Sequence, residues 1–206
     1  TDENKTETTI TLPEGSDSVT IQTGEDGEKD KIVVPAGSSV TTERTETPVT
    51  GDGETTVTPG AVIVIGSGEG AVDSSGGVDA PVGSTVTDRD GNKITITDGD
   101  GGRIDPEGNV AFPEGTDGTV TVEDKNGNIT TVTVPGGGEG IDVTPDGTPI
   151  VNNTDETLTV FDGEGGKTTI TVPEDETVTA DNDGSVTVPQ GSTIENGGTT
   201  TTITEG

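Results

Sequence analysis

Histidine, cysteine, methionine, tryptophan and tyrosine are all missing from this 206-residue chain, and only two phenylalanines, Phe112 and Phe161, are present. Histidine is the commonest general base near neutral pH. Without histidine and cysteine there is no Ser-His-Asp triad, no Cys-His pair and no ordinary zinc site. Carboxylates remain, and a pair of them can hydrolyse glycosides. Such sites usually add an aromatic platform, which this chain cannot supply. The expectation is a protein that is not an enzyme. The lack of cysteine also leaves no disulfide pattern from which to read a redox compartment.

Positive charge is scarce as well. Forty Asp and Glu face nine Lys and Arg, a formal net charge of −31. Nucleic acid and anionic membrane surfaces are excluded as partners, because both need clustered Lys or Arg. Cations are attracted, calcium first among those that seek oxygen. The longest apolar run is Ala61–Ile65, far short of a membrane span. Residues 1–206 read as one repeat-built segment of a larger extracellular protein, with no membrane part and no resident cofactor beyond candidate structural calcium.

What is present is Thr, Gly, Val, Asp and Glu. Leucine occurs only at Leu12 and Leu158, and the β-branched residues favour strands. Apolar residues alternate with period two in Lys93–Thr97, Thr119–Val122 and Thr131–Val134, a strand pattern with Val or Ile on one side and Thr on the other. Two kinds of punctuation separate these segments. One is an acidic Gly/Asn turn, as in Asp88-Arg89-Asp90-Gly91-Asn92 and Asp124-Lys125-Asn126-Gly127-Asn128, fit for a hairpin or a sharp solenoid turn. The other is proline followed by a short polar turn, at Pro13, Pro35, Pro81, Pro113, Pro173 and Pro189.

Proline spacing sets the expected architecture. Pro13 to Pro35, Pro59 to Pro81 and Pro113 to Pro135 are each 22 residues. Such a period predicts an all-β parallel β-helix (β-solenoid) with coils of about 22 residues. The alternative is an antiparallel β-sandwich or meander, which the acidic turns favour and the shortage of large core residues disfavours.

Three features bear on function. Alternating oxygen-bearing side chains at Asp88, Asp90 and Asn92, with Asp98 and Asp100 and with Asp181 and Asp183, are candidate calcium ligands, although the full calcium-loop spacing is not met. The plainer reading is that these residues are turn formers, Asp and Asn being enriched there for backbone reasons. The many Thr-x-Thr triplets make a ladder of hydroxyls and methyls, the geometry of an ice-binding face, but their phase wanders along the sequence. Lys93, Lys125 and Lys167 are candidates for internal cross-links to Asn128, Asn152 or Asn153.

Ala80-Pro81-Val82-Gly83-Ser84, Phe112-Pro113-Glu114-Gly115 and Gly184–Ser192 share a Pro-x-Gly phrasing, with Ala, Phe or Val before the proline and Ser or Thr after the glycine. It resembles the Thr- and Gly-rich β-helical repeat regions of large cell-surface proteins of Gram-positive, often gut, bacteria. That resemblance covers most of the chain and implies a location on the bacterial surface. It also implies an adhesin that binds a host extracellular protein or glycan, or a stalk. It carries no defining functional residue. A self-associating filament, with Thr8–Leu12 as a donated strand, is the structural alternative, and an ice-binding solenoid a further one. The stretches 41–53 and 136–155 break the repeat and are the expected places for ligand contacts.

Overall fold

The computed structural model describes residues 5–16, 18–24, 30–46, 56–152, 157–161, 166–173, 179–180 and 186–204. The chain builds two sheets at once, alternating between them. Strand β1 (Lys5–Thr11) starts the first sheet, and β2 (Thr20–Gln22) with β3 (Lys31–Val34) starts the second. Strands β4 (Ser39–Glu46) and β5 (Thr56–Val64) return to the first, and β6 (Gly70–Asp73) and β7 (Val78–Ala80) to the second. The pattern repeats with β8 (Thr85–Thr87) and β9 (Lys93–Asp98) in the first sheet. It continues with β10 (Gly102–Ile104) and β11 (Val110–Ala111) in the second, then β12 (Gly118–Glu123) and β13 (Ile129–Val134) in the first.

Alternation lapses beyond that point. Strands β14 (Gly140–Val143), β15 (Pro149–Asn152), β16 (Thr157–Phe161) and β17 (Lys167–Thr171) all stay in the second sheet. Among the described residues, strands β18 (Thr179–Ala180) and β19 (Val186–Thr187) pair only with each other. Strands β20 (Thr193–Asn196) and β21 (Thr199–Thr202) end the second sheet, which among the described residues reaches twelve strands against seven in the first.

The expected parallel β-helix is therefore not the fold. Every strand ladder among the described residues is antiparallel, and the antiparallel sandwich alternative describes it. The reason lies in the acidic turns, which reverse the chain within one sheet instead of carrying it onward around a coil. The 22-residue spacing is not that of a coil: Pro13, Pro35, Pro81, Pro113 and Pro135 stand where the chain changes sheet, whereas Pro59 lies within β5. The β-helical architecture implied by the resemblance falls with it.

Both punctuation marks have one repeated geometry. In the turns 88–92, 105–109 and 124–128, the first residue's amide donates to the fifth residue's carbonyl, and the glycine amide donates back to the first carbonyl. The glycines sit at φ 89°, 105° and 85°, where a side chain is strained. Turns 73–77 and 144–148 repeat the same two bonds. At the corners, the residue three past Pro13, Pro35, Pro81, Pro113 and Pro189 donates its amide to the proline carbonyl at 3.1–3.3 Å.

Corner register also explains two orphaned hydroxyls. Val64 faces Thr85, and two residues past Val64 the Gly66 amide donates to Ser84 Oγ at 2.9 Å. Val134 faces Gly118, and the Gly136 amide likewise donates to Asp117 at 3.2 Å. Thr11 faces Ser39 and Thr171 faces Thr193, so the equivalent donors for Ser38 and Ser192 stand at positions 13 and 173. Both are prolines and have no N–H. Ser38 and Ser192 are fully buried, and their hydroxyls have no partner among the described residues.

The core is thin and aliphatic. Ile10, Val40, Ile63, Val86, Ile94 and Val122 face one another in register across six strands of the first sheet. They pack with Val34, Val72, Val78, Ile104, Val110, Ile141 and Val151 of the second. Phe112 is the one aromatic residue of the buried cluster, and it fits because Gly118 leaves room: a Cβ there would fall within the ring. Beyond Val151 the alternation inverts. Ile150, Leu158, Ile170 and Ile194 occupy the opposite face of the second sheet from Ile141 and Val151.

Candidate functional site

The acidic turns are held together by their own carboxylates. Asp88 Oδ1 accepts the amides of Asp90 (2.9 Å) and Asn92 (2.8 Å), and its Oδ2 accepts the Asn92 side-chain amide at 2.9 Å. Asp105 and Asp124 do the same with Asn109 and Asn128. The side-chain and backbone bonds from Asn128 hold the Asp124 carboxyl below the usual carboxylate range. The Asp90 carboxylate lies 4.0 Å from Arg89 Nε.

Asp98 and Asp100 flank a corner at the other end of β9, so the structure does not bring them to Asp88, Asp90 and Asn92. Asp98 accepts the Gly99 amide at 2.9 Å, and Asp100 is exposed. Asp181 and Asp183 lie outside the described residues. Among the described residues no group of three or more carboxylates converges as a metal site. Lys93 pairs with Glu123 at 3.8 Å, and Lys125 donates to the Pro145 carbonyl at 3.1 Å.

Asn92 has a further task. It is 1% exposed, and its amide also donates to the Thr144 carbonyl at 3.1 Å, tying a first-sheet turn to a second-sheet turn. Nearby, Asp142 is raised above the usual carboxylate range by desolvation, with the carboxylates of Asp105 and Asp88 adding repulsion.

The two outer faces differ in chemistry. On the second sheet, Asp79 accepts from Lys31 at 2.7 Å and from Arg103 at 3.1 Å, and Arg103 also pairs with Asp73. Desolvation opposes ionisation of Asp73, but the Ser75 hydroxyl and Arg103 outweigh it and hold the carboxyl well below its usual range. Next to this network a groove of about 490 Å³ runs to the corners, lined by Pro81, Phe112, Pro113 and the carboxylates of Glu69, Asp79 and Asp100.

On the outer face of the first sheet charge is confined to some rows, as where Glu7 faces Glu43. One row crosses all seven strands in register: Thr11, Ser39, Val64, Thr85, Thr95, Thr121 and Thr131. A second row runs Thr9, Thr41, Val62, Thr87, Lys93, Glu123 and Ile129, its one cation and one anion paired with each other. Val62, Val64 and Ile129 are 41%, 42% and 66% exposed.

Sequence reading raised a threonine ladder but could not place its members, because the triplets wander in phase until the hairpin turns and corners realign them. Their alternation with Val and Ile was the available signal. The stretch 136–152, read as irregular, is a corner, a strand, a standard turn and a strand. Residues 47–55 and 153–156 lie outside the described residues. Thr8–Leu12 is not left free for donation: Thr8–Thr11 pair with Ser39–Thr42 of the same chain.

Set against known proteins, the chain matches no family model, no curated protein and no solved structure.

Proposed function

We propose that this chain is a non-enzymatic segment of a bacterial cell-surface protein that adheres to a host extracellular protein through the outer face of its first sheet. The observation that carries this reading is the in-register Thr/Val row across seven strands, uncharged in a chain of net charge −31. Charge repels like-charged surfaces and holds water. A row cleared of it, with threonine methyl groups and the exposed Val64, can be desolvated against a partner at low cost. Hydroxyls along the row then offer both donors and acceptors. The absence of histidine and cysteine from the sequence supports a binding role over a catalytic one.

A host-protein capture experiment tests it. The purified chain is immobilised and exposed to serum and mucus proteins beside a variant carrying Thr85→Lys, Thr95→Glu and Thr121→Lys. These three positions face one another across β8, β9 and β12, so the net charge of the face changes by only one unit. The expected result is one enriched protein that the variant fails to retain. Equal capture by both forms, or none by either, overturns the adhesive reading. The second result would favour a spacer, a role consistent with the strict agreement of spatial and sequence order in both sheets.

A further inference from the structure

On the opposite side of the molecule, the groove at the corners of the second sheet has a chemistry of its own. Pro81 and Pro113 supply apolar CH surface, and Glu69, Asp79 and Asp100 supply carboxylates. The one cation in the lining, Arg103, is already committed to Asp73 and Asp79. Glu69 and Asp100 are exposed and engage no hydrogen-bonding or ion-pair partner among the described residues. The groove therefore combines an apolar floor with unneutralised negative charge. Its carboxylates come from separate elements: Glu69 and Asp100 from two different corners, and Asp79 from β7. They do not converge on a point, and no metal-holding group exists among the described residues.

We infer that this groove receives a Lys- or Arg-bearing extended segment of a partner protein. A long cationic side chain is amphipathic: its stem lies on apolar surface while its head stays near charge and water. Proline rings suit the stem, and Glu69 and Asp100 suit the head. An arginine suits the head position, because its planar guanidinium presents several donors to carboxylates. The groove is formed by the second sheet and its corners, so it acts independently of the threonine face. It is a second, charge-selective contact beside a neutral one.

The chain's large negative charge attracts every cation to some degree, and the experiment separates local from diffuse binding. The probe is an acetylated hexapeptide of alternating Gly and Arg, titrated into the isotope-labelled protein at physiological ionic strength. Saturable amide shifts are expected at Gly101 and Gly102, which line the groove. Neutralising the groove with Glu69→Gln and Asp100→Asn should weaken binding about five- to tenfold. A control with Glu107→Gln and Glu195→Gln, equally exposed and outside the groove, should change it less than about twofold. Equal weakening in both variants, shifts spread over the acidic surface, or no saturable binding would overturn the inference.

Discussion

Alanine at Ser38 and alanine at Ser84 should move stability in opposite directions, although the two serines hold equivalent corners. Both are fully buried. Ser84 Oγ accepts the Gly66 amide at 2.9 Å, whereas Ser38 Oγ has no partner because the matching position is Pro13. Removing an unpaired buried hydroxyl relieves a desolvation penalty of about 1–3 kcal/mol, less the dispersion attraction of the single oxygen removed. Ser38→Ala is therefore expected to stabilise by about 1 kcal/mol. Ser84→Ala strands the half-buried Gly66 amide and should cost about 1–2 kcal/mol. In a chain of this size, 1 kcal/mol moves Tm by about 2–4 °C. With no tryptophan or tyrosine to report by fluorescence, far-ultraviolet circular dichroism in urea and on heating is the assay. A Pro13→Ala background supplies the internal check: with the amide restored, Ser38→Ala should become destabilising. Loss of stability at Ser38 in the native background, or no change of sign with Pro13→Ala, would refute the register argument.

Gly118→Ala should destabilise by about 1–3 kcal/mol through overpacking, and Phe112→Leu should recover part of the loss, measured by the same melts. Asn92→Ala should cost about 1–3 kcal/mol, because it cuts the buried link to Thr144, while exposed Asn128→Ala should cost less by urea midpoint. Asp142→Asn should raise stability at pH 7, since a carboxyl with a raised folded pKa loses stability as pH rises from its unfolded value. The gain should fade as pH falls below about 4, where both states are protonated. Unchanged differences across that range in a pH series of thermal melts would exclude Asp142 as the source.

How much could be read beforehand differs by level. Strand content and both kinds of turn were legible, because alternation and Gly, Asn and Pro act locally. Which sheet each strand joins was not. A proline corner and a hairpin turn both end a strand after a few residues, and only the tertiary partner distinguishes coiling onward from folding back. The Pro135 to Pro173 interval of 38 residues marked the lapse in alternation, where β15 and β16 form a plain hairpin in one sheet. The acidic turns were visible as oxygen clusters, but the pairing of Asp88 with its own turn amides and Asn92 is a matter of backbone direction. The Thr/Val row was hidden for the same reason. Its members lie on seven strands, and their alignment depends on register set by turns of unequal length.

Because strand order in each sheet follows sequence order, the two ends of the described chain lie at opposite ends of the strand series. A pull between them runs across the strands. The ladder bonds are then loaded a few at a time, like a zip, instead of all together in shear. Up to β13, each hairpin of one sheet is bracketed by strands of the other, as β4 and β5 are by β3 and β6, so release there must proceed from the ends inward. Under tension such a chain gives way in small successive steps, lengthening gradually while the remainder stays folded.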